Sequence, residues 1–112
     1  MIANAADVMT ASMPENELLA AVREACRVLG LLAYHTYRSD RSEPGFPDLV
    51  IVGPRGVLFR ELKTEKGRPS HHQEKWIAAL QAAGADAAIW RPSDLFNGRI
   101  TSELRRVVPC KR

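Results

Sequence analysis

Asp48, Glu61 and Lys63 are the residues whose types and spacing could do hydrolytic chemistry in this chain. Asp48 stands before the apolar run Leu49–Val52, and Glu61 follows the run Val57–Phe59. Between the runs lies Gly53-Pro54-Arg55-Gly56, where proline suits the second position of a turn and glycine its ends, so the segment reads as a β-hairpin. With Pro54 and Arg55 at the tip, Val52 faces Val57, Val50 faces Phe59 and Asp48 faces Glu61. Directly opposed side chains on one sheet face stand about 5 Å apart, and two carboxylates placed there repel unless a cation lies between them. The strand period of two brings Lys63 to the same face and turns Leu62 the other way, into apolar surroundings. A hard cation such as Mg²⁺ takes oxygen ligands from one or two carboxylates and keeps several waters. Held there, it supplies much of what phosphodiester hydrolysis needs: an activated water, charge stabilisation on the phosphoryl oxygens and a stabilised leaving alkoxide. An ammonium beside carboxylates holds its proton firmly, so Lys63 is expected to position and stabilise rather than to act as a free base.

The form Gly45-Phe46-Pro47-Asp48, followed after the second run by Glu61-Leu62-Lys63 and then by Gln73, resembles the PD-(D/E)XK nucleases and, more narrowly, their VRR-NUC branch. A bare Asp with a later Glu-x-Lys is a weak signal; the hairpin register and the Gly-x-Pro-Asp context make it a strong one. The resemblance covers Glu15 to Trp90 and implies a restriction-endonuclease-like α/β core with the activity of a metal-dependent DNA endonuclease using Mg²⁺, with Mn²⁺ also accepted. Asp48 and Glu61 would be the metal ligands, and the resemblance implies the backbone carbonyl of Leu62 as a further one. It also implies a helix-borne acid, for which Glu15 is the candidate and Glu17 the fallback, and a role for Gln73 near the nucleophile or the phosphate. Small members with little beyond the catalytic core resemble structure-selective enzymes that act as homodimers on branched DNA such as four-way junctions.

Two of these residues have a second reading. Ser12-Met13-Pro14-Glu15 fits a capping box in which Glu15 only reaches back to Ser12, and Ser70-x-x-Gln73 fits another. His71 and His72 point about 100° apart on a helix and cannot chelate one ion, while His35 reads as a strand histidine satisfied by a neighbour. Trp76 and Trp90 sit in apolar patterns and read as core. Cys26 falls on a helical apolar face and Cys110 in the tail, with no spacing of a zinc site or disulfide framework.

The elements that must position the site follow from periodicity. A helix is expected from the Ser12 cap to Leu29, stopped by Gly30, with Leu18, Val22, Ala25, Cys26 and Leu29 on one arc that Glu15 shares. Leu31–Tyr37 is the first strand and the hairpin supplies two more. The polar loop 38–45 and a second one, 64–69, flank the acids, and Arg38, Arg41, Lys66 and Arg68 are the candidates for gripping DNA phosphates. Ser70 caps a helix that runs to Ala83 and stops at Gly84, with Gln73, Trp76, Ile77 and Leu80 on one face. Ala85–Trp90 is a fourth strand, and a crossover into it implies a parallel neighbour. The order α-β-β-β-α-β gives a four-stranded mixed sheet flanked by helices, with short helical pieces near Ser93–Leu95 and over Ile100–Val108. Residues 1–10 and 109–112 are expected to be flexible around a core of 13–92.

At 112 residues the chain is one domain, too short for a catalytic unit plus a separate recognition domain. Apolar residues at 46% and charged ones at 26% are ordinary globular proportions and exclude a disordered tail. No apolar run approaches the roughly 20 residues of a membrane span. The first residues lack the basic and apolar regions of a secretory signal, so an intracellular location is expected. The net charge of +3 is mild, but Arg38, Arg41, Arg55, Arg60, Lys66 and Arg68 surround the acidic centre in a way that suits a polyanion. The rival readings are a non-catalytic DNA-binding module of the same fold and a general or restriction-type duplex endonuclease.

Overall fold

A computed structural model of the chain describes residues 4–37 and 40–109. Arg38 and Cys110 therefore lie outside the described residues, as does the expected flexibility of residues 1–3 and 110–112.

The elements in order are α1 (Ala5–Ser12), α2 (Glu15–Leu29), β1 (Leu32–His35), β2 (Leu49–Gly53), β3 (Gly56–Leu62), α3 (His71–Ala82), β4 (Asp86–Trp90), α4 (Pro92–Phe96) and α5 (Arg99–Arg105). The sheet order is β1-β2-β3-β4, with the first two pairings antiparallel and β3–β4 parallel. The expected mixed sheet is thus present, and the hairpin has the expected register: Val52 pairs with Val57, Val50 with Phe59 and Leu49 with Arg60.

Alternation along these strands divides the sheet into two faces. Leu49 and Ile51 of β2, Leu58 and Leu62 of β3, and Trp90 of β4 are buried together with Leu18, Val22 and Cys26 of α2 and Ile100 and Leu104 of α5. This cluster is the core, and burial of each large aliphatic side chain stabilises the fold by about 1.5–3 kcal/mol. On the other face α3 lies against β4 and buries Ile77, while Leu32 and Tyr34 of β1 stay exposed.

The helix ends correct the sequence reading in one place. Residues 5–10, expected to be flexible, belong to α1, because Asn4 caps it in a reciprocal box with Asp7. Ser12 is consequently the last residue of α1 and not a cap; its hydroxyl donates to the Val8 carbonyl, and Pro14 stands at the start of α2 without a side-chain cap. Glu15 is thereby released from the capping role. α2 does end at Gly30, whose positive φ of 73° lets the Leu31 N–H reach back to the Cys26 carbonyl at 2.8 Å.

Arg60, expected on the basic surface, is wholly buried instead. Its guanidinium donates to Asp86 Oδ1 and Glu103 Oε1, each at 2.8 Å, and to the Asp86 carbonyl at 2.7 Å. It also lies over the Trp90 ring, whose Nε1 donates to the same Glu103 oxygen. The network ties α5 to β3 and β4 on the core face of the sheet. Burial pushes the Glu103 carboxyl up, yet the hydrogen bonds from Arg99, Trp90 and Arg60 outweigh it and hold the group below its usual range.

Candidate active site

The residue before β2 and the last residues of β3 meet at one end of the hairpin. The Asp48 backbone N–H donates to Glu61 Oε1 at 3.2 Å, and the Leu62 N–H donates to Asp48 Oδ1 at 3.4 Å. Each acid thus accepts a backbone donor from the other's strand. Lys63 Nζ stands 3.9 Å from Glu61 Oε2, and its own N–H is fixed by the Trp90 carbonyl at 3.1 Å. Leu62 points its side chain into the core at 1% exposure, so only its backbone belongs to the site.

Gln73 satisfies both readings of its sequence position at once. Its Oε1 accepts from the Ser70 N–H at 2.8 Å while its own N–H is taken by Ser70 Oγ, which completes the capping box of α3. Its Nε2 donates to Glu61 Oε2 at 2.8 Å. The cap therefore orients the amide, and the amide holds the carboxylate.

These residues open onto a cleft of about 650 Å³ that also includes Glu15. Burial, then the charge of Glu15, raises the Asp48 pKa to about 6, against a backbone hydrogen bond from Leu62 and the pull of Lys63. Glu61 is raised to about 7, first by burial and next by the charge of Asp48. Two acids so perturbed form a site that favours an added positive charge. Their oxygen donors are the ligand type of a hard divalent cation, and two carboxylates with waters suffice for Mg²⁺. Among the described residues no group of three or more His, Cys, Asp and Glu side chains is placed to hold a metal, so Glu15 lines the cleft and acts on the pair through its charge.

Comparison with known proteins gives the family and the fold. The sequence profile of the VRR-NUC domain matches residues 6–94. The chain belongs to the VRR-NUC family. Its fold is similar to that of a solved structure described as a VRR-NUC domain, at 26% identity and a TM-score of 0.63, over 76% of this chain and 92% of the other. A search of curated proteins finds no match. VRR-NUC domains are nuclease-type modules for processing DNA, and the family is that of a DNA hydrolase.

The remaining expectations divide. Arg41, Lys66 and Arg68 are exposed, and none of them lines the cleft. The loop carrying Lys66 and Arg68 is pinned, because Arg91 Nη1 donates to the carbonyls of Thr64, Glu65 and Gly67, and Glu65 accepts from Ser93. Trp76, expected in the core, is only partly buried and forms a wall of the cleft with Phe46 and Tyr34. Its helical spacing of three from Gln73 puts it on the same face as that residue but does not separate a core ring from one at the rim of a cleft. No helix among the described residues is long and apolar enough to cross a membrane.

Proposed function

We propose that this domain is a divalent-metal-dependent endonuclease that cuts phosphodiester bonds in branched DNA. The observation that carries the reading is the reciprocally bonded Asp48–Glu61 pair, with Lys63 and Gln73 on the same Glu61 oxygen at the wall of an open cleft.

Asp48, Glu61 and the Leu62 carbonyl would hold the cation, with Glu15 adding negative charge beside it. When bound, Mg²⁺ or Mn²⁺ supplies charge neutralisation and Lewis-acid polarisation of the phosphate. Lys63 holds the attacking water in line and offsets the phosphate charge. Gln73 keeps Glu61 from turning away, which preserves the spacing of the acids as substrate enters. Water oxygen bonds to phosphorus, one P–O ester bond breaks, the water proton passes to solvent and the departing alkoxide takes a proton from solvent water. Arg38, Arg41, Lys66 and Arg68 would bind flanking phosphates and fix the DNA without reading its sequence. A single small domain without a recognition helix favours selection by DNA shape over base sequence.

A homodimer fits the same reading. Leu32 is 74% exposed and stands in register beside Val52, itself in register with Val57, which leaves an apolar stripe on the outer face of β1, β2 and β3. Two copies related by a two-fold axis would offer two clefts to two strands of a junction. The test is a cleavage panel: linear duplex, flap, splayed arm and four-way junction, each with Mg²⁺, Mn²⁺ or EDTA. Cutting of branched substrates with metal alone supports the reading; equal cutting of linear duplex makes the enzyme a general endonuclease, and no cutting of any DNA leaves a binding module.

A further inference from the structure

The cleft has a second chemistry that the carboxylates and Lys63 do not use. Phe46 is 40% exposed and Tyr34 64% exposed, and both rings line the same cavity as Asp48 and Glu61. A phosphate and its cation need only the polar end of a space of about 650 Å³. The rings of Tyr34, Phe46 and Trp76 line it further out, beside Thr36, Ser42 and Glu43.

The Phe46 ring is a held surface and not a loose one. It packs edge-to-face on Phe59 at 6.0 Å and on Trp76 at 5.2 Å between centroids, which is the favourable geometry for aromatic pairs. Trp76 is fixed in turn by its Nε1, which donates to the Pro44 carbonyl at 3.0 Å. Phe46 also precedes Asp48 by only two residues, with the buried Pro47 between them, and two residues span at most about 7 Å. Ring and carboxylate therefore keep a spacing within reach of one nucleotide.

We infer that Phe46, with Tyr34 on the same cleft, is a stacking platform for an unpaired nucleobase next to the phosphate held at Asp48 and Glu61. The inference rests on the proposed nuclease reading and deepens it by naming what the cleft selects. Every nucleobase has a π-face, so stacking on a fixed ring tolerates any sequence. A base inside a continuous duplex already has both faces covered, whereas one at a strand exchange, flap or gap has a face to offer. The platform thus favours phosphates beside an unpaired base. Because the ring is already held, binding does not have to order it.

The experiment walks a single abasic nucleotide past the scissile phosphate of whichever DNA the wild type cuts, and compares wild type with Phe46→Leu, which keeps an apolar side chain. The wild type is expected to lose about ten-fold or more in kcat/KM at one position. Phe46→Leu is slower on intact DNA and loses nothing further at that position, since both changes remove one contact. Losses that simply multiply at every position overturn the platform. A readout independent of the substitution places 2-aminopurine at the same position and measures its fluorescence on binding to the Asp48→Asn protein; quenching supports stacking and unchanged emission contradicts it. Absence of wild-type cleavage with Mg²⁺ would overturn the nuclease reading, and 2-aminopurine walked through the unpaired arm of a flap would then report the platform by quenching at one position.

Discussion

Glu61 carries more of the site than any other side chain: 3% exposed, it accepts from the Asp48 backbone and from Gln73, and pairs with Lys63. Its position and that of Asp48 were legible in the sequence because strand alternation and a four-residue turn fix which residues face each other. The aromatic wall was not, because a tryptophan in an apolar pattern reads the same whether its ring ends in a core or at the rim of a cleft. The raised pKa values give a stability prediction. A folded acid with its pKa above the unfolded value binds more protons than the unfolded chain, so its stabilising effect is full below about pH 4 and is lost as pH rises through about 6 for Asp48 and about 7 for Glu61. Metal-free protein in chelator should therefore melt at a lower temperature at pH 8 than at pH 5.5. Glu61→Gln should narrow that gap; a melting temperature that rises from pH 5.5 to pH 8 in the wild type would contradict the assignment. Lys63→Ala is expected to abolish cleavage while divalent-cation binding, followed by calorimetry, persists; retained turnover would remove Lys63 from the chemistry.

The elements place these residues through contacts that periodicity alone does not reveal. Gly45 has a φ of 93°, and a Cβ there would lie 2.4 Å from the His72 backbone, so the turn that delivers Asp48 is pressed against the start of α3. Gly45→Ala should destabilise the fold by about 2 kcal/mol or more in chemical denaturation, and lower activity with it, because neither the left-handed backbone nor the space suits a methyl group. The β-hairpin, the parallel crossover strand and the Gly30 stop of α2 could all be read from turn residues and apolar spacing. The start of α2 could not: Ser12 is a competent cap, and only the additional helix Ala5–Ser12, capped by Asn4, takes it up and leaves α2 to begin after Pro14 without a side-chain cap. Arg60 was equally opaque, since a buried arginine requires acids from β4 and α5, which are 26 and 43 residues away in the chain. Arg60→Ala takes one partner from Asp86, which keeps Arg106, and one from Glu103, which keeps Arg99 and Trp90, and it removes the packing on Trp90; a loss of about 2–3 kcal/mol is expected by urea unfolding. A loss below 1 kcal/mol would mean that the network is not holding α5 to the sheet.

At the scale of the whole molecule, a small α/β domain with a net charge of +3 keeps an acidic pair at the centre of a mildly basic chain. A bound divalent cation would neutralise that pair and leave a surface more attractive to DNA, so metal should tighten DNA binding as well as permit cleavage. The exposed stripe Leu32–Val52–Val57 predicts a dimer in solution, measured by light scattering on the purified protein, and Leu32→Glu should shift it to monomer; full cleavage by a wild-type monomer would separate activity from assembly. Family membership and fold follow from the chain's own match to the VRR-NUC domain, whereas the choice of DNA depends on surfaces whose partners the sequence does not encode locally. The most direct measurement is cleavage of one four-way junction by wild type and Asp48→Asn, with Mg²⁺ and with EDTA. Cutting by the wild type with Mg²⁺ alone, reduced at least a thousand-fold (about 4 kcal/mol) in Asp48→Asn, is the predicted result. Cutting that survives either EDTA or the loss of the Asp48 carboxylate would contradict a metal-dependent centre on this pair of acids.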